Sequence, residues 1–217
     1  GTVVVADSQT AGRGRQGRQW QSPPGRNLYA SILLKPPFLH ADVGLFPQVT
    51  ALALQATARD FGIAEAWIKW PNDIFVGEAK LAGILCENQY RANQVQAVVV
   101  GLGVNLNMTA AELAAIDRPA ISVLAVTGKR VERGDFLHRL LAHFRRCLQR
   151  AQQFGFGELY PEWKAASRLL GRQVQMISPR ETQAGEVADL EPDGALLLRL
   201  PDGTQRRYYA GEVSLRW

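Results

Sequence analysis

The chain has 217 residues, of which 47% are hydrophobic, and it carries a net charge of +5 at pH 7. This size suits one moderate domain and one small one; the charge favours anionic partners, and the absence of any apolar run near the roughly 18 residues of a membrane span argues against a membrane protein. Two cysteines and three unclustered histidines favour neither disulfides nor a metal site, and a reducing cytoplasm is the expected location.

The first strand, Thr2–Ala6, leads into the tract AGRGRQGRQW at residues 11–20, which holds three arginines and three glycines. No apolar periodicity runs through it, so it is neither a core helix nor a core strand. Its glycines make ordering costly. The tract is therefore either a solvated basic loop, as in nucleic-acid tails, or a segment that an anionic ligand orders.

Strands and helices then follow in an order typical of an α+β protein. Strands are predicted at residues 28–34, 66–70, 74–76, 81–87 and 95–106. The last of these is nearly all apolar, which predicts a central position in the sheet. Helices are predicted at residues 43–61, 135–154 and 160–170. In the second helix we expect Asp135 as the N-cap, with a buried stripe of Phe136, Leu140, Leu141, Phe144 and Leu148.

After Gly171 the composition changes to short strands separated by tight turns. They are predicted at residues 174–177, 186–190, 195–200, 206–210 and 212–215. We therefore divide the chain into a larger domain, residues 1–170, with a mixed sheet and helices on one face, and a small SH3-like β-barrel, residues 171–217.

Two further tracts are too polar for their apolar surroundings. KWPNDIFVGEAKLAGILCE, residues 69–87, places lysines, an asparagine and an aspartate around a strand end and a turn. In GLGVNLN, residues 101–107, Gly103 interrupts a buried strand, which indicates that something lies directly on the backbone. No P-loop, GxSxG or Cys/His pattern occurs, so no covalent nucleophile is expected. Concentrated positive charge beside a lysine suits the stabilisation of phosphate during acyl or phosphoryl transfer.

Five motifs in this order, GRGRQGRQW, NLYAS, KWPND, AKLAGILCE and GLGVNLN, resemble the catalytic domain of biotin–protein ligases. The C-terminal GEVSLRW resembles the C-terminal domain of the same family. The resemblance covers essentially the whole chain and implies a fold like that of class II aminoacyl-tRNA synthetases. It also implies a two-step reaction: biotin and MgATP give biotinyl-5′-AMP, and a lysine of a biotin carboxyl carrier domain then takes the biotinyl group.

The resemblance assigns roles to individual positions. Lys80 and Arg15 would be catalytic, stabilising negative charge on the biotin carboxyl and the α-phosphate. The implied biotin-binding residues are Gln9, Gly12, Arg13, Gly14, Arg15, Lys80 and Gly83. The implied ATP-binding residues are Arg18, Trp20, Asn27, Asn72, Asp73, Asn105 and Arg216. Ala82 and Gly83 would leave room for the flat biotin bicycle, and Lys69 either touches a ligand or pairs with Asp73. No residue is implied as a direct metal ligand.

Two features of the family have no counterpart in these residues. A Ser-Thr-Asn tract that lines the ureido end of biotin would precede Gly1, so we expect the natural protein to be longer. No helix-turn-helix pattern is visible, so transcriptional repression is not implied. The family includes monomers and dimers, and an exposed edge strand at residues 95–100 would offer a contact for a homodimer.

Two other functions remain open at this point. A lipoate–protein ligase or octanoyl transferase would share the fold, although those families are not known for GRGRxGRxW joined to KWPND. A nucleic-acid-binding module would use the arginine tract together with the basic and aromatic residues Arg206, Arg207, Tyr208 and Tyr209.

Overall fold

The structure is a computed structural model that describes residues 1–35, 43–92, 94–178 and 181–215. The strands of its larger sheet are β1 (Thr2–Ala6), β2 (Leu28–Leu34), β3 (Trp67–Lys69), β4 (Asp73–Val76), β5 (Ala79–Arg91) and β6 (Gln94–Val104). They lie in the order β1-β2-β6-β5-β4-β3. The apolar strand β6 therefore lies inside the sheet, as its sequence predicted.

The α+β class is confirmed, but the sheet that we expected to be mixed is antiparallel at every strand pairing of the described residues. Parallel contacts there are single bridges, from Ile68 to Ser167 and from Lys80 to Ala120. The physical reason is that β4, β5 and β6 follow one another through short reversals, which can join only antiparallel strands.

The expected edge strand at residues 95–100 is wrong for residues 98–100. Val98 and Val100 pair with β2 on one side and with β5 on the other. That part of the strand has no free backbone groups to offer a second copy of the chain. Val95 and Ala97 pair with β5 and have no partner in β2 among the described residues. A homodimer therefore stays a prediction.

Helices cover one face of the larger sheet. The described residues include α1 (Phe46–Asp60), α2 (Ala110–Ala114), α3 (Val123–Thr127), α4 (Arg133–Phe154) and α5 (Tyr160–Ala166). Helix α1 packs on β3, β4 and β5, and α4 packs on α1. The opposite face of β5 and β6 is contacted by the basic tract, through Trp20.

Helices α4 and α5 differ from the prediction at one end each, and α4 also differs in its buried stripe. The N-cap of α4 is Glu132, and Asp135 lies in the first turn, where its charge still favours the helix dipole. In the buried stripe of α4, Leu141 is only half-buried and Cys147 is buried instead. Helix α5 ends at Ala166 because Ser167 turns to an extended conformation and bridges to Ile68 of β3.

The C-terminal strands form a second antiparallel sheet. They are β7 (Gln173–Ile177), β8 (Thr182–Leu190), β9 (Leu196–Arg199), β10 (Gln205–Tyr208) and β11 (Glu212–Leu215). Their order is β10-β9-β8-β7-β11. All five strands were predicted, whereas the pairings of the described residues leave β10 and β11 as edges and do not close a barrel.

The two sheets meet beside the end of β3. The indole of Trp70 donates to the carbonyl of Gly194 at 2.9 Å. The hydroxyl of Tyr160 donates to the carbonyl of Leu190 at 2.8 Å. Gly194 has a φ of 84°, and a Cβ there would lie 2.6 Å from Gln48 of α1. Only glycine allows this approach, which brings the small sheet against the helical layer.

Candidate active site

The basic tract folds back on itself as a narrow hairpin over residues 12–20, called the basic hairpin below. The amide of Gly14 donates to the carbonyl of Arg18 at 2.7 Å, and the amide of Trp20 donates to that of Gly12 at 2.9 Å. A short 3-10 turn joins the two sides. The tract thus orders its own backbone by local hydrogen bonds, which the sequence alone did not predict.

Gln9 and Gly12 lie at the base of the basic hairpin. The hydroxyl of Ser22 donates to Oε1 of Gln9 at 2.8 Å, and the Gln9 side chain is exposed. Gly12 is buried, and a Cβ at this position would lie 2.9 Å from the Ser22 hydroxyl. A larger residue would therefore separate the two sides of the base.

The arginines of the basic hairpin each reach a different element. Arg13 donates to Oε2 of Glu87 at 2.8 Å, Arg15 donates to Oδ1 of Asn72 at 3.1 Å, and Arg18 donates to Oε2 of Glu212. Burial lowers the pKa of Arg15, and the carboxylate of Asp73 opposes that shift. All three guanidiniums are bound to oxygen acceptors that an anionic ligand could replace.

Two glycines on neighbouring strands make a flat surface at the centre of the site, called the glycine floor below. Gly83 of β5 pairs directly with Gly103 of β6. A Cβ on Gly103 would lie 2.6 Å from Nε1 of Trp20, and a Cβ on Gly83 would lie 3.0 Å from Nζ of Lys80. The indole of Trp20 therefore lies directly on the backbone, as the isolated Gly103 indicated, and its buried N–H has no hydrogen-bond partner.

Lys80 reaches the glycine floor because of an irregularity in β5. The register between β4 and β5 shifts so that Leu81 has no partner in β4 and is buried. Such a bulge re-aims the neighbouring side chain, and Lys80 comes onto the same face as Gly83. Its ammonium lies 2.8 Å from Oδ1 of Asp73 and 5.3 Å from the centre of the Trp20 ring.

The main chain of Lys80 is held from both sides. Its amide donates to the carbonyl of Pro119 at 2.9 Å, and its carbonyl accepts from the amide of Ile121 at 3.0 Å. The side chain of Asn105 also donates to the Lys80 carbonyl at 3.3 Å, and Asn27 donates to Asn105 at 3.4 Å. Both asparagines are buried. These hydrogen bonds help to fix the main chain of Lys80. The roles of both asparagines as nucleotide contacts stay predictions.

Of the two outcomes considered for Lys69, an ion pair with Asp73 does not form, and a contact with a ligand stays a prediction. Asp73 is paired with Lys80, and the ammonium of Lys69 lies 4.5 Å from the centre of the Phe75 ring. Burial lowers the pKa of Lys69, and Asp73 opposes this shift. A half-buried lysine over an aromatic ring keeps its charge available for a ligand.

Asn72 joins the KWPND segment to the edge of β5. Its side chain donates to the carbonyl of Ile84, and the Ile84 amide donates back to the Asn72 carbonyl at 3.0 Å. Beyond this contact lies a cleft of about 140 Å³ that Arg15 and Cys86 help to line. Burial raises the pKa of the Cys86 thiol to about 12, so it remains protonated, in agreement with the absence of an expected nucleophile.

Positive charge exceeds negative charge at this site. Two carboxylates, Asp73 and Glu212, face five cationic side chains: Arg15, Arg18, Lys69, Lys80 and Arg118. Sequence reasoning missed Arg118, which lies in a segment without a recognisable motif, and Glu212, which lies in the GEVSLRW motif but was given no role there. Arg216, which was predicted on the ATP side, lies outside the described residues. Lys80, Asp73, Asn72, Arg15, Arg18 and Trp20 do come together.

Residues 1–35, 43–92, 94–178 and 181–215 include no group of three or more His, Cys, Asp or Glu side chains placed to hold a metal ion. No helix among them is long and apolar enough to cross a bilayer.

Comparison with known protein families matches both parts of the chain. Residues 1–105 match the Biotin/lipoate A/B protein ligase family, and residues 169–216 match the Biotin protein ligase C terminal domain. The chain is 36% identical to the Biotin–[acetyl-CoA-carboxylase] ligase of Paracoccus denitrificans over 93% of its own length and 85% of the relative's. It is 32% identical to the Bifunctional ligase/repressor BirA of Escherichia coli over 100% of its own length and 67% of the relative's.

A similar protein of known structure is the biotin protein ligase from Aquifex aeolicus, solved in complex with biotin and ATP. Its TM-score is 0.84 at 29% sequence identity, and the match covers 100% of this chain and 89% of that one. By contrast, the chain spans 65% of the length of the Bacillus subtilis ligase/repressor BirA that it matches.

Proposed function

Because the chain belongs to the biotin protein ligase family, we propose that it activates biotin with ATP and transfers it to a lysine of a biotin carboxyl carrier domain. In the first step the biotin carboxylate attacks the α-phosphorus of ATP, which forms biotinyl-5′-AMP and releases pyrophosphate. In the second, the neutral ε-amine of the carrier lysine attacks the biotinyl carbonyl carbon, and AMP and a proton leave as the amide forms.

The position of Lys80 is the observation that carries this proposal. Its ammonium projects over the glycine floor, its main chain is held by Pro119 and Ile121, and Asp73 is its ion-pair partner. Attack by a carboxylate on a triphosphate brings two anions together, and a fixed positive charge lowers the cost of that approach. The same charge stabilises the oxygen atoms of the anhydride when the carrier lysine attacks.

The ligand residues of the proposal follow the family resemblance. Biotin would contact Gln9, Gly12, Arg13, Gly14, Arg15, Lys80 and Gly83. The nucleotide would contact Arg18, Trp20, Asn27, Asn72, Asp73, Asn105 and Arg216. The indole of Trp20 lies on the glycine floor, so any ligand that uses this surface must first displace the indole. The surplus of positive charge around Asp73 supports a triphosphate nearby.

Magnesium would enter this reaction with the nucleotide. Mg²⁺ in nucleotide sites is bound by one or two carboxylates together with substrate phosphates and water, so it requires no cage made by the protein alone. The half-buried carboxylate of Asp73 at the edge of the positive cluster fits this donor set. The ion would reduce the negative charge of the triphosphate.

The wider proposal includes domains, partner and location. Residues 1–170 would form the biotin- and ATP-binding domain, and residues 171–217 would form the small C-terminal domain. The carrier domain of an enzyme such as acetyl-CoA carboxylase would be the protein partner, in a cytoplasmic compartment. The name of the Paracoccus relative supports the carrier partner, and the match of residues 169–216 to the Biotin protein ligase C terminal domain supports a small C-terminal domain.

The alternative of a nucleic-acid-binding module has little support. Arg206 is paired with Glu181 at 2.9 Å, and Arg207 is paired with Glu191 and Asp193 at 2.6 Å each. The hydroxyl of Tyr209 donates to Asp193 as well. Two arginines here face three carboxylates, so this patch lacks the surplus of positive charge that the candidate active site has, and a stacking platform needs its aromatic faces beside such a surplus.

Mass spectrometry of a purified carrier domain tests the proposal. After incubation with this protein, biotin and MgATP, the carrier should gain one biotinyl group on a single lysine. Reactions without biotin, without ATP, or with Lys80→Ala should give no mass increase. A lipoyl or octanoyl adduct from parallel incubations, with no biotinyl adduct, would reject biotin as the substrate and favour the lipoate-ligase alternative.

A further inference from the structure

Glu212 connects the small sheet to the positive cluster of the candidate active site. It is the first residue of β11, and its side chain is only 22% exposed. Oε1 accepts from Nη1 of Arg118 at 2.6 Å, while Oε2 accepts from Arg18 of the basic hairpin. One carboxylate thus holds two guanidiniums from two separate segments of the larger domain.

Arg118 is fixed at this place by its neighbours in the chain. The carbonyl of Pro119 accepts from the amide of Lys80, and Ala120 forms a bridge with Lys80. The segment that carries Arg118 is therefore attached to the strand that carries Lys80. The pKa of Arg18 is lowered, first by burial and then by the positive charge of the Arg118 guanidinium, so the two arginines lie close together.

The charges in this arrangement do not balance. Arg18 and Arg118 carry two positive charges, and the carboxylate of Glu212 supplies one negative charge. Two neighbouring guanidiniums repel each other unless an anion lies between them. A polyphosphate has more negative charge and more acceptor oxygens than a carboxylate, and its geometry matches the planar guanidinium fork. It is therefore the better occupant of the same position.

We propose that Arg118 acts with Arg18 as a binding site for the polyphosphate of ATP, and that Glu212 occupies this anion position until the nucleotide displaces it. This inference rests on the proposed function for the identity of the nucleotide. It adds a residue of the larger domain, Arg118, to the phosphate contacts, and it makes Glu212 a competitor of the ligand. Nucleotide binding would then release the contact between β11 and the basic hairpin.

Calorimetric titration with inorganic tripolyphosphate tests the anion site without requiring any reaction. Arg118→Gln should weaken binding about tenfold, because it removes charge-assisted hydrogen bonds. Glu212→Gln keeps the shape of the side chain but removes the competing charge, and should tighten binding several-fold. Arg130→Gln removes an exposed arginine outside the site and should bind as the unaltered protein does. Thermal unfolding followed by circular dichroism checks that each variant is folded.

Two results would overturn the inference. Arg118→Gln could bind tripolyphosphate as tightly as the unaltered protein, or Glu212→Gln could weaken binding as Arg118→Gln does, which would make Glu212 a permanent structural link. Biotin-dependent ATP–pyrophosphate exchange then separates this inference from the proposed function. If the unaltered protein shows no exchange but the tripolyphosphate pattern holds, the ligase assignment fails and the anion site stands. With exchange present, Arg118→Gln should raise the KM for ATP about tenfold.

Discussion

Lys80 and Arg18 both bring positive charge to the candidate active site, but the chain holds them in different ways. Lys80 is positioned by main-chain hydrogen bonds to Pro119 and Ile121 and by a bulge in β5. Arg18 lies on a hairpin and is held at its far end by Glu212.

Lys80 is a preorganised charge, whereas the arginines of the basic hairpin can exchange one anionic partner for another. Main-chain contacts fix Lys80 before any ligand arrives, which is what electrostatic stabilisation of a transition state requires. Partly exposed ion pairs such as that of Arg13 with Glu87 contribute only about 0.2–1 kcal/mol. The basic hairpin can therefore exchange its carboxylate partners for a ligand at little cost, whereas the sheet cannot release Lys80 without local unfolding.

The largest effect should follow from removing the preorganised charge. Lys80→Ala should reduce biotin-dependent ATP–pyrophosphate exchange by more than about a hundredfold, since such a group contributes on the order of 3 kcal/mol to the barrier. Thermal unfolding should change little, because the Lys80 side chain is partly exposed. Lys129→Ala, at an exposed position away from the site, is the matched control. Exchange by Lys80→Ala at the unaltered rate would remove Lys80 from the catalytic role.

A smaller effect should follow from adding a methyl group to the glycine floor. A methyl group at Gly103 would overlap the indole of Trp20, and overpacking costs roughly 1–3 kcal/mol. Gly103→Ala should therefore dislodge the basic hairpin and speed hydrogen exchange at the amides of Gly14 and Trp20 about tenfold or more. Amides in the middle of β6 should keep their protection. Gly134→Ala, where a Cβ meets open space, should leave both sets of amides unchanged.

Ligand binding should change the accessibility of the basic hairpin. We expect trypsin to cut after Arg13, Arg15 or Arg18 in the free protein, because the hairpin lies largely at the surface and is held by a few short-range backbone hydrogen bonds, so that it can open locally. Biotin with MgATP should protect these bonds, whereas random DNA in physiological salt should not. Protection by DNA, without protection by biotin and MgATP, would favour the nucleic-acid-binding interpretation of the tract.

The last prediction concerns the rigidity of β5, which the reactivity of the Cys86 thiol reports. With a pKa of about 12, the Cys86 thiol at pH 8 should have a thiolate fraction roughly a thousandfold below that of an unperturbed cysteine. In a Cys147→Ser background, labelling by a disulfide reagent should be slow in the folded protein and fast in denaturant. Labelling at equal rates in both states would show that this part of the sheet opens readily, and would weaken the contrast with the basic hairpin.

Much of the fold could be predicted because its signals are local. The apolar run of β6 and the turns after Gly171 indicated their elements directly, and the motifs indicated the family. The short helices α2 and α3 were missed although Thr109 and Ser122 cap them, because a five-residue helix has no apolar periodicity to detect.

The site was less accessible to sequence reasoning because its geometry depends on contacts between distant segments. The motifs predicted that Lys80, Asp73 and Arg18 lie together, but not that a bulge brings Lys80 onto the face of Gly83. The pairing of Glu212 with Arg118 joins residues that are far apart in the chain, and neither belongs to a catalytic motif. The motifs also did not predict that Asn105 donates to the Lys80 carbonyl and Asn27 to Asn105, while the roles of both asparagines as nucleotide contacts stay predictions.

The indole on the glycine floor also gives the protein a built-in optical probe. Of the four tryptophans that the structure describes, Trp67, Trp70 and Trp163 are at most 2% exposed, and Trp20 alone is partly accessible. In a Trp217→Phe background, an aqueous quencher such as acrylamide should therefore act mainly on the emission of Trp20. The fraction of the fluorescence that acrylamide can quench then reports, in real time, whether the indole of Trp20 or a ligand covers the glycine floor.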